Sequence, residues 1–172
     1  KPLVVLDGKP ILIHTLKNLS KSGLIQEIVV VVNRSYLAAF KKKIKQFGLS
    51  KVKNIVAGGA TRGKSVFNGL KAMNRDCDLV LIHDGARPFI KQEFIKRLVR
   101  QAKKFGAAIL AVPAKATIKR IEPKSLEVVA TLNRSFLWEV QTPQVFKKDL
   151  ILNAYKKLRS LSFTDDAALV EQ

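Results

Sequence analysis

The order of apolar and polar positions along the chain alternates between short continuous apolar runs and stripes at helical spacing. The run "IVVVV" at Ile28–Val32 and the run "LVLI" that leads into His83 and Asp84 have the content of strands buried on both faces. Apolar strands that alternate with helices predict an α/β fold with a mostly parallel sheet covered on both faces. The other predicted elements are strands over residues 52–59 and 107–114 and helices over residues 10–23, 35–48, 64–73 and 91–106.

This alternation stops after Ala116. Residues 117–134 contain two short β-like runs around the turn sequence "EPKS", which predicts a hairpin arm that leaves the main sheet, with limits of about 114–136. A helix from about residue 147 to 160 follows, and a last helix over 164–172 is predicted with Thr164 or Asp165 as its cap. Residues 1–172 are interpreted as a single domain.

The composition narrows the range of partners. With 32 Lys and Arg against 13 Asp and Glu the net charge is +19, which favours contact with anions such as nucleotides and phosphates. The lysines are spread along helix faces, so we interpret most of them as a solvated surface and expect no specific nucleic-acid binding. Cys77 is the only cysteine, which excludes an intrachain disulfide. No apolar run approaches the roughly 20 residues of a membrane span, and a cytoplasmic protein without membrane contact is expected.

One motif points to a phosphate-binding loop. The sequence "GGATRGKS" at residues 58–65 fits G-x-x-x-x-G-K-[ST], and it lies between a predicted strand and a predicted helix as a P-loop does. The strand that ends at Asp84 has the form of a Walker B strand, whose aspartate holds Mg²⁺. Together they indicate an NTPase or a small-molecule kinase. A simple glycine turn between strand and helix explains the same letters.

Seven spaced blocks give a different and more specific match. They are "K-x6-GKPIL-x-HTL" (1–16), "GG-x2-R-x2-SV-x-NGL" (58–70), "HDGARPF" (83–89), "ATIKR" (116–120), "TLNRSFLW" (131–138), "QTPQVF" (141–146) and "TDDAALVE" (164–171). In this order they resemble the 2-C-methyl-D-erythritol 4-phosphate cytidylyltransferases. The resemblance leaves position 64 free, so Lys64 of the P-loop match becomes a chance occupant.

The resemblance implies a Rossmann-like three-layer αβα nucleotidyltransferase that joins a sugar-alcohol phosphate to the α-phosphorus of CTP and releases pyrophosphate. Catalysis of such a transfer is mainly positioning and electrostatic stabilisation. The Asp84 carboxylate at a strand end can hold Mg²⁺, and Arg87 offers a fixed fork of donors. The alternative for this pair is an ion pair at a surface loop. His83 is interpreted as a packing or hydrogen-bonding residue.

Residue roles follow from the matched blocks, as the resemblance implies them. Lys1 and Arg134 are the candidate catalytic cations, and Asp84 is the candidate Mg²⁺ ligand. The other candidates contact CTP (Gly59, Ser65, Asp84) or the methylerythritol substrate (Asp84, Arg87, Thr117, Thr142, Thr164). In the family the arm reaches into a partner subunit, so a homodimer with a shared active site is implied. Phe136 and Trp138 are predicted to form a core at the base of the arm.

The chain also departs from the family pattern. The family begins with a strand and a Gly-rich loop and ends with a further strand that carries a lysine, and neither is found in the 172 residues. A fragment is therefore expected, and such a fragment need not be active. Ala116 stands where the family usually has Asp, and Pro2 replaces a usual Gln. A cytidylyltransferase that uses ribitol 5-phosphate is the nearest alternative, because its sequence blocks overlap with these.

Overall fold

The computed structural model describes residues 3–157 and 163–172. The helices are α1 Ile11–Ser20, α2 Leu37–Gln46, α3 Arg62–Lys71, α4 Gln92–Phe105, α5 Lys148–Lys157 and α6 Ala167–Val170. The strands are β1 Val5–Leu6, β2 Lys9–Pro10, β3 Ile28–Val32, β4 Val52–Ala57, β5 Leu79–Ile82, β6 Ala107–Pro113, β7 Lys119–Ile121, β8 Val128–Thr131 and β9 Trp138–Lys147.

The predicted helices are present, and their ends differ from the prediction by a few residues. Asn33, rather than Ser35, accepts the capping hydrogen bond ahead of α2, and it caps a short 3-10 turn that precedes this helix. Gly48 and Gly106 follow α2 and α4 with positive φ, because a residue without a Cβ ends a helix in this conformation at little cost. The predicted end of α5 at residue 160 lies outside the described residues.

The strands form a mixed arrangement rather than a mostly parallel one. β3 and β4 pair in parallel as predicted, whereas β9 lies between β5 and β6 and is antiparallel to both. The reason is the path of the chain between β6 and β9. The arm carries the chain out and back, so β9 returns beside β6 as in a long hairpin, and no crossover helix is needed.

Helices cover both faces of these strands, so the expected α/β layers are confirmed. Val145 and Phe146 are neighbours on β9 and are both fully buried, but they point to opposite faces. Val145 packs with Leu98 and Ala102 of α4, whereas the cluster around Phe146 contains residues of α3, α5 and α6. A third cluster joins α1, α2 and β3.

The arm is a two-stranded hairpin in which β7 pairs only with β8 among the described residues. The expected hairpin is therefore present, but the predicted core at its base is wrong. Phe136 is 81% exposed and Trp138 is 57% exposed in the single chain. The arm is too thin to have an interior, since two strands without a covering layer leave their apolar side chains in solvent.

Candidate active site

The strand end that carries "HDGARP" forms one wall of a cavity. Asp84 follows β5, and its backbone N–H donates to the Thr142 hydroxyl of β9 at 3.2 Å. Arg87 Nε donates to Asp84 Oδ2 at 3.0 Å, so the predicted pair is an ion pair. Its side chains are 44% and 47% exposed, which keeps both available to a ligand. A solvent-exposed ion pair stabilises a fold only weakly, so a contribution to stability does not explain why Asp84 and Arg87 stand together here.

The cavity has a volume of about 280 Å³, and eight of its nine lining residues carry polar or charged side chains. Four sequence-predicted residues meet there although they come from three distant segments of the chain: Asp84, Arg87, Thr142 and Thr164. The cavity therefore offers hydroxyl, carboxylate and guanidinium groups together, which suits a phosphorylated polyol. The remaining lining residues are Arg62, Val140, Gln141, Gln144 and Asp165.

The glycine turn before α3 lies beside this cavity and does not line it. Gly59 N–H donates to the Ser65 hydroxyl at 3.0 Å, and that hydroxyl donates to the Thr61 carbonyl at 2.9 Å. A Cβ on Gly59 would come within 2.4 Å of the Lys64 Cβ, so glycine is required by the close approach of the turn to α3. The turn thus places Gly59 and Ser65 in contact with each other.

His83 connects the two ends of the "HDGARP" turn. Its Nε2 lies 2.9 Å from the Arg87 carbonyl oxygen, to which it donates in the neutral form. Burial lowers the pKa of His83, and the positive charge of Arg87 acts in the same direction. A neutral, hydrogen-bonded imidazole matches the role expected for it, which is to hold the turn.

A buried network beside the cavity was not predicted. Asp166 is fully buried and accepts hydrogen bonds from Arg62 Nη2 and from the Tyr155 hydroxyl, each at 2.6 Å. Burial alone would lower the pKa of Arg62, but the hydrogen bond and charge of Asp166 outweigh it and raise the pKa. Burial of the Tyr155 hydroxyl and its own hydrogen bond to Asp166 raise the pKa of Tyr155. Arg62 lies in the motif block at residues 58–70 and Asp166 in the block at residues 164–171. Their place in these blocks was the sequence signal that could have pointed to them.

Two predicted residues of the arm also do not line the cavity. Thr117 and Arg134 are exposed on the arm, where Arg134 Nη1 donates to the Lys115 carbonyl at 2.6 Å. Lys1 lies outside the described residues. Within a single chain, the candidate cation Arg134 is therefore not part of the described cavity.

Comparison with known proteins identifies the family. The family model for 2-C-methyl-D-erythritol 4-phosphate cytidylyltransferase matches residues 1–172. The chain belongs to this family. The protein of that name from Alkaliphilus metalliredigens is 47% identical over 99% of this chain and 72% of its own length. That from Bacillus velezensis is 42% identical over the whole of this chain and 74% of its own length.

Solved structures agree with the family. The 4-diphosphocytidyl-2C-methyl-D-erythritol synthase of Anaerococcus prevotii superposes with a TM-score of 0.86 at 33% identity, over 97% of this chain and 73% of that one. The 2-C-methyl-D-erythritol 4-phosphate cytidylyltransferase of Thermus thermophilus gives 0.80 at 30% identity, over 99% and 78%. The predicted nucleotidyltransferase fold is thus confirmed and the protein is a cytidylyltransferase, which disfavours the P-loop kinase.

The cavity of this chain offers few side chains that could hold a metal ion. Residues 3–157 and 163–172 contain no group of three His, Cys, Asp or Glu side chains that could hold a metal ion by themselves. A single carboxylate still fits Mg²⁺, since this ion is commonly held by one or two carboxylates together with phosphate oxygens of a substrate. Asp84 fits that arrangement at the cavity wall. No helix in the described part of the chain has the length and apolar content to span a membrane.

Proposed function

We propose that the cavity at the end of β5, against the middle of β9, is where this cytidylyltransferase joins CTP to 2-C-methyl-D-erythritol 4-phosphate, giving 4-diphosphocytidyl-2-C-methyl-D-erythritol and pyrophosphate. The observation that carries the proposal is the meeting of Asp84, Arg87, Thr142 and Thr164 at one cavity. These are four of the five residues that the resemblance assigns to contacts with the methylerythritol substrate. The reaction is a step of isoprenoid precursor biosynthesis by the non-mevalonate route.

The proposed transfer is a displacement at phosphorus. A phosphate oxygen of the sugar substrate forms a bond to the α-phosphorus of CTP, and the bond from that phosphorus to the β-phosphate bridge breaks. Negative charge then grows on the leaving pyrophosphate, so fixed cations and hydrogen-bond donors are the main source of rate. Arg87 and the hydroxyls of Thr142 and Thr164 would hold the polyol phosphate. Lys1 and Arg134 are the proposed cations for the phosphates.

Mg²⁺ is part of the proposal, with Asp84 as its protein ligand. The ion would supply positive charge to the triphosphate when bound. The Asp84 carboxylate is half exposed at the cavity, and among the described residues its side chain is engaged only by Arg87. It can therefore turn towards an ion without leaving a buried charge uncompensated. Gly59 and Ser65, on the turn beside the cavity, are the proposed contacts to the cytosine base.

We also propose that the enzyme acts as a homodimer through the arm, in the cytoplasm, where CTP is available. The exposed Phe136 and Trp138 at the base of the arm support this, because large exposed apolar side chains are typical of an interface. Thr117 and Arg134 then complete the site of the partner subunit. Neither residue lines the cavity of its own chain, as such an exchange requires.

The substrate assignment is tested by comparing acceptors in the natural protein that contains this chain. Pyrophosphate release from CTP is measured with methylerythritol 4-phosphate and with ribitol 5-phosphate, and we expect a preference of about tenfold or more for the former. A preference for ribitol 5-phosphate would replace the proposed substrate. The Lys64→Ala variant serves as a second test, and its activity is expected to stay within a few-fold. A loss of several orders of magnitude would instead favour a P-loop enzyme, in which this lysine contacts the β- and γ-phosphates.

A further inference from the structure

The ion pair between Arg62 and Asp166 joins two segments that lie far apart in the sequence. Arg62 is the first residue of α3, next to the glycine turn, and Asp166 immediately precedes α6. Their atoms Nη2 and Oδ2 are 2.6 Å apart, which is a short charge-assisted hydrogen bond. The Asp166 side chain is fully buried, whereas that of Arg62 is 37% exposed and lines the cavity. The pair therefore reaches from the interior to the cavity wall.

The buried carboxylate is held from every side. The Tyr155 hydroxyl of α5 donates to Asp166 Oδ1, and the Asp166 backbone N–H donates to Gln144 Oε1 of β9 at 3.2 Å. Gln144, which is also buried, donates through Nε2 to Asp165 Oδ2 at 2.7 Å. Both carboxylate oxygens of Asp166 and both polar atoms of the Gln144 amide thus have partners, and Arg62 supplies the network's only full positive charge among the described residues. Removing one member of a buried pair leaves an uncompensated charge.

The members of the network stand beside the residues that face the substrates. Arg62 lies between Gly59 and Ser65, Gln144 is two residues after Thr142, and Asp166 is two residues after Thr164. On the interior side, the Tyr155 ring stacks on Phe67 of α3 with centroids 5.5 Å apart. The network consequently ties the nucleotide-side turn, β9 and the Thr164 segment into one arrangement.

The two sides of the pair are not equally anchored. The turn is fixed independently of Asp166, since the Gly58 N–H donates to the Val32 carbonyl at 2.8 Å and Thr61 caps α3 through the Lys64 N–H at 3.1 Å. The Thr164 segment precedes a helix of only four residues, and besides the apolar packing of α6 it is tied to the rest of the fold by the side chains of Asp165 and Asp166. Loss of the pair should hence displace the Thr164 segment more than the turn.

We propose that Arg62 and Asp166 are positioning residues for cytidylyl transfer, which set the Thr164 segment against the nucleotide-side turn. This rests on the proposed function, in which Thr164 contacts the sugar phosphate and the turn contacts the base. Neither residue needs to take part in the chemistry. Their effect is on where the acceptor phosphate lies relative to the α-phosphorus, a geometry to which the rate is sensitive.

The test is steady-state kinetics of Asp166→Asn in the natural full-length protein, with both substrates varied and a thermal melt beside them. We expect the KM for methylerythritol 4-phosphate to rise about tenfold or more, while the KM for CTP changes less than threefold. Tyr155→Phe is the matched structural control. It removes a hydrogen bond to the same carboxylate from the interior side and keeps the ring stacking, so it should lower the melting temperature with both KM values near wild type.

If Asp166→Asn fails to fold, Arg62→Lys tests the same point from the exposed end of the pair. It retains a charge but lacks the planar fork, and the same selective rise in KM is expected. Unchanged KM values in a folded variant of either residue would overturn the inference and leave a purely structural ion pair. A wild-type protein without CTP-dependent pyrophosphate release would instead overturn the proposed function, so the two failures are distinguishable.

Discussion

At the scale of single residues, the "HDGARP" turn contains two kinds of side chain: charged ones that face the cavity and a histidine that stabilises the turn. Asp84 and Arg87 are half exposed at the cavity, whereas His83 between strand and turn is largely removed from solvent and bonded to the Arg87 carbonyl. The exposed pair contributes little to stability, because solvent screens such charges. Substitutions at Asp84 and at His83 should accordingly have opposite consequences, one for turnover and one for folding.

For Asp84→Asn, we expect turnover to fall by about 100-fold or more, with a shifted Mg²⁺ dependence, because the amide cannot hold the ion or neutralise its charge. The melting temperature should change by no more than about 2 °C, as for an exposed position without packing. The measurement is steady-state kinetics across a Mg²⁺ titration in the full-length protein, with a melt on the same samples. Wild-type turnover with an unshifted titration would leave Asp84 as a surface ion-pair residue only.

His83 should make stability depend on pH on the acidic side. Because its pKa is lowered in the folded protein, the unfolded chain binds the proton first, and stability is lost as the pH falls below about 6.5. The expected slope is at most about 1.4 kcal/mol per pH unit. Urea unfolding of wild type and His83→Gln between pH 5 and 8 measures it as the difference between the two curves. Parallel curves for the two proteins would contradict the assignment.

At the scale of elements, the glycine turn and α3 form a unit whose geometry depends on two close approaches. The Gly59 N–H contacts the Ser65 hydroxyl, and the Gly59 Cα lies against Lys64, where a side chain has no room. The turn is therefore determined by helix α3 itself, which begins at the capping residue Thr61. Such a turn presents backbone groups to a ligand without requiring the lysine that a P-loop uses.

Gly59→Ala tests this packing. The added Cβ would meet the Lys64 Cβ at 2.4 Å, so the turn has to move, at an expected cost of about 1–3 kcal/mol and with a raised KM for CTP. Gly23→Ala is the matched control, because a Cβ there meets nothing within 4 Å and its φ is not positive. The control should be neutral or slightly stabilising in chemical denaturation. Equal effects of the two substitutions would show that the turn tolerates a side chain.

At the scale of the whole molecule, the arm is the feature that a single chain does not explain. It exposes Phe136 and Trp138, and it holds Arg134 and Thr117 apart from the cavity lined by Asp84. An arm of two strands gains no core of its own, so its apolar residues are stabilised when another surface covers them. A second copy related by a twofold axis is the simplest such surface, since each arm can then complete the other's site.

Mixing two inactive variants tests the shared site. Arg134→Ala and Asp84→Asn should each lose most activity, but in a mixed dimer one of the two sites has both wild-type groups. Random exchange of subunits should restore about a quarter of the wild-type activity. A mixture that stays inactive although dimers exchange would place Arg134 outside the partner's site.

Sedimentation of Phe136→Ser tests the dimer contact and is expected to show monomers. Phe105→Ser is the control, because Phe105 is 67% exposed but ends α4, outside the arm.

The sequence by itself determined the elements and most of the candidate residues. Continuous runs such as Ile28–Val32 and the glycines at 48 and 106 act within a few residues of themselves, so their structural consequence can be read locally. The resemblance of the motif blocks to the family likewise pointed to Asp84, Arg87, Thr142 and Thr164 one by one. The sequence did not give the distances between these four residues, because contacts between segments depend on which strands pair.

The tertiary structure decided those contacts. The return of the chain through the arm places β9 antiparallel between β5 and β6, and this pairing brings Thr142 to Asp84. The tertiary structure also buries Asp166 against Arg62, which lies 104 positions away in the sequence. The letters "TDD" alone predicted only a helix cap. Asp165 does accept from the Ala168 N–H as a cap would, while its neighbour is the buried charge. A carboxylate's partner is set by the fold around it, and no local period in the sequence records that choice.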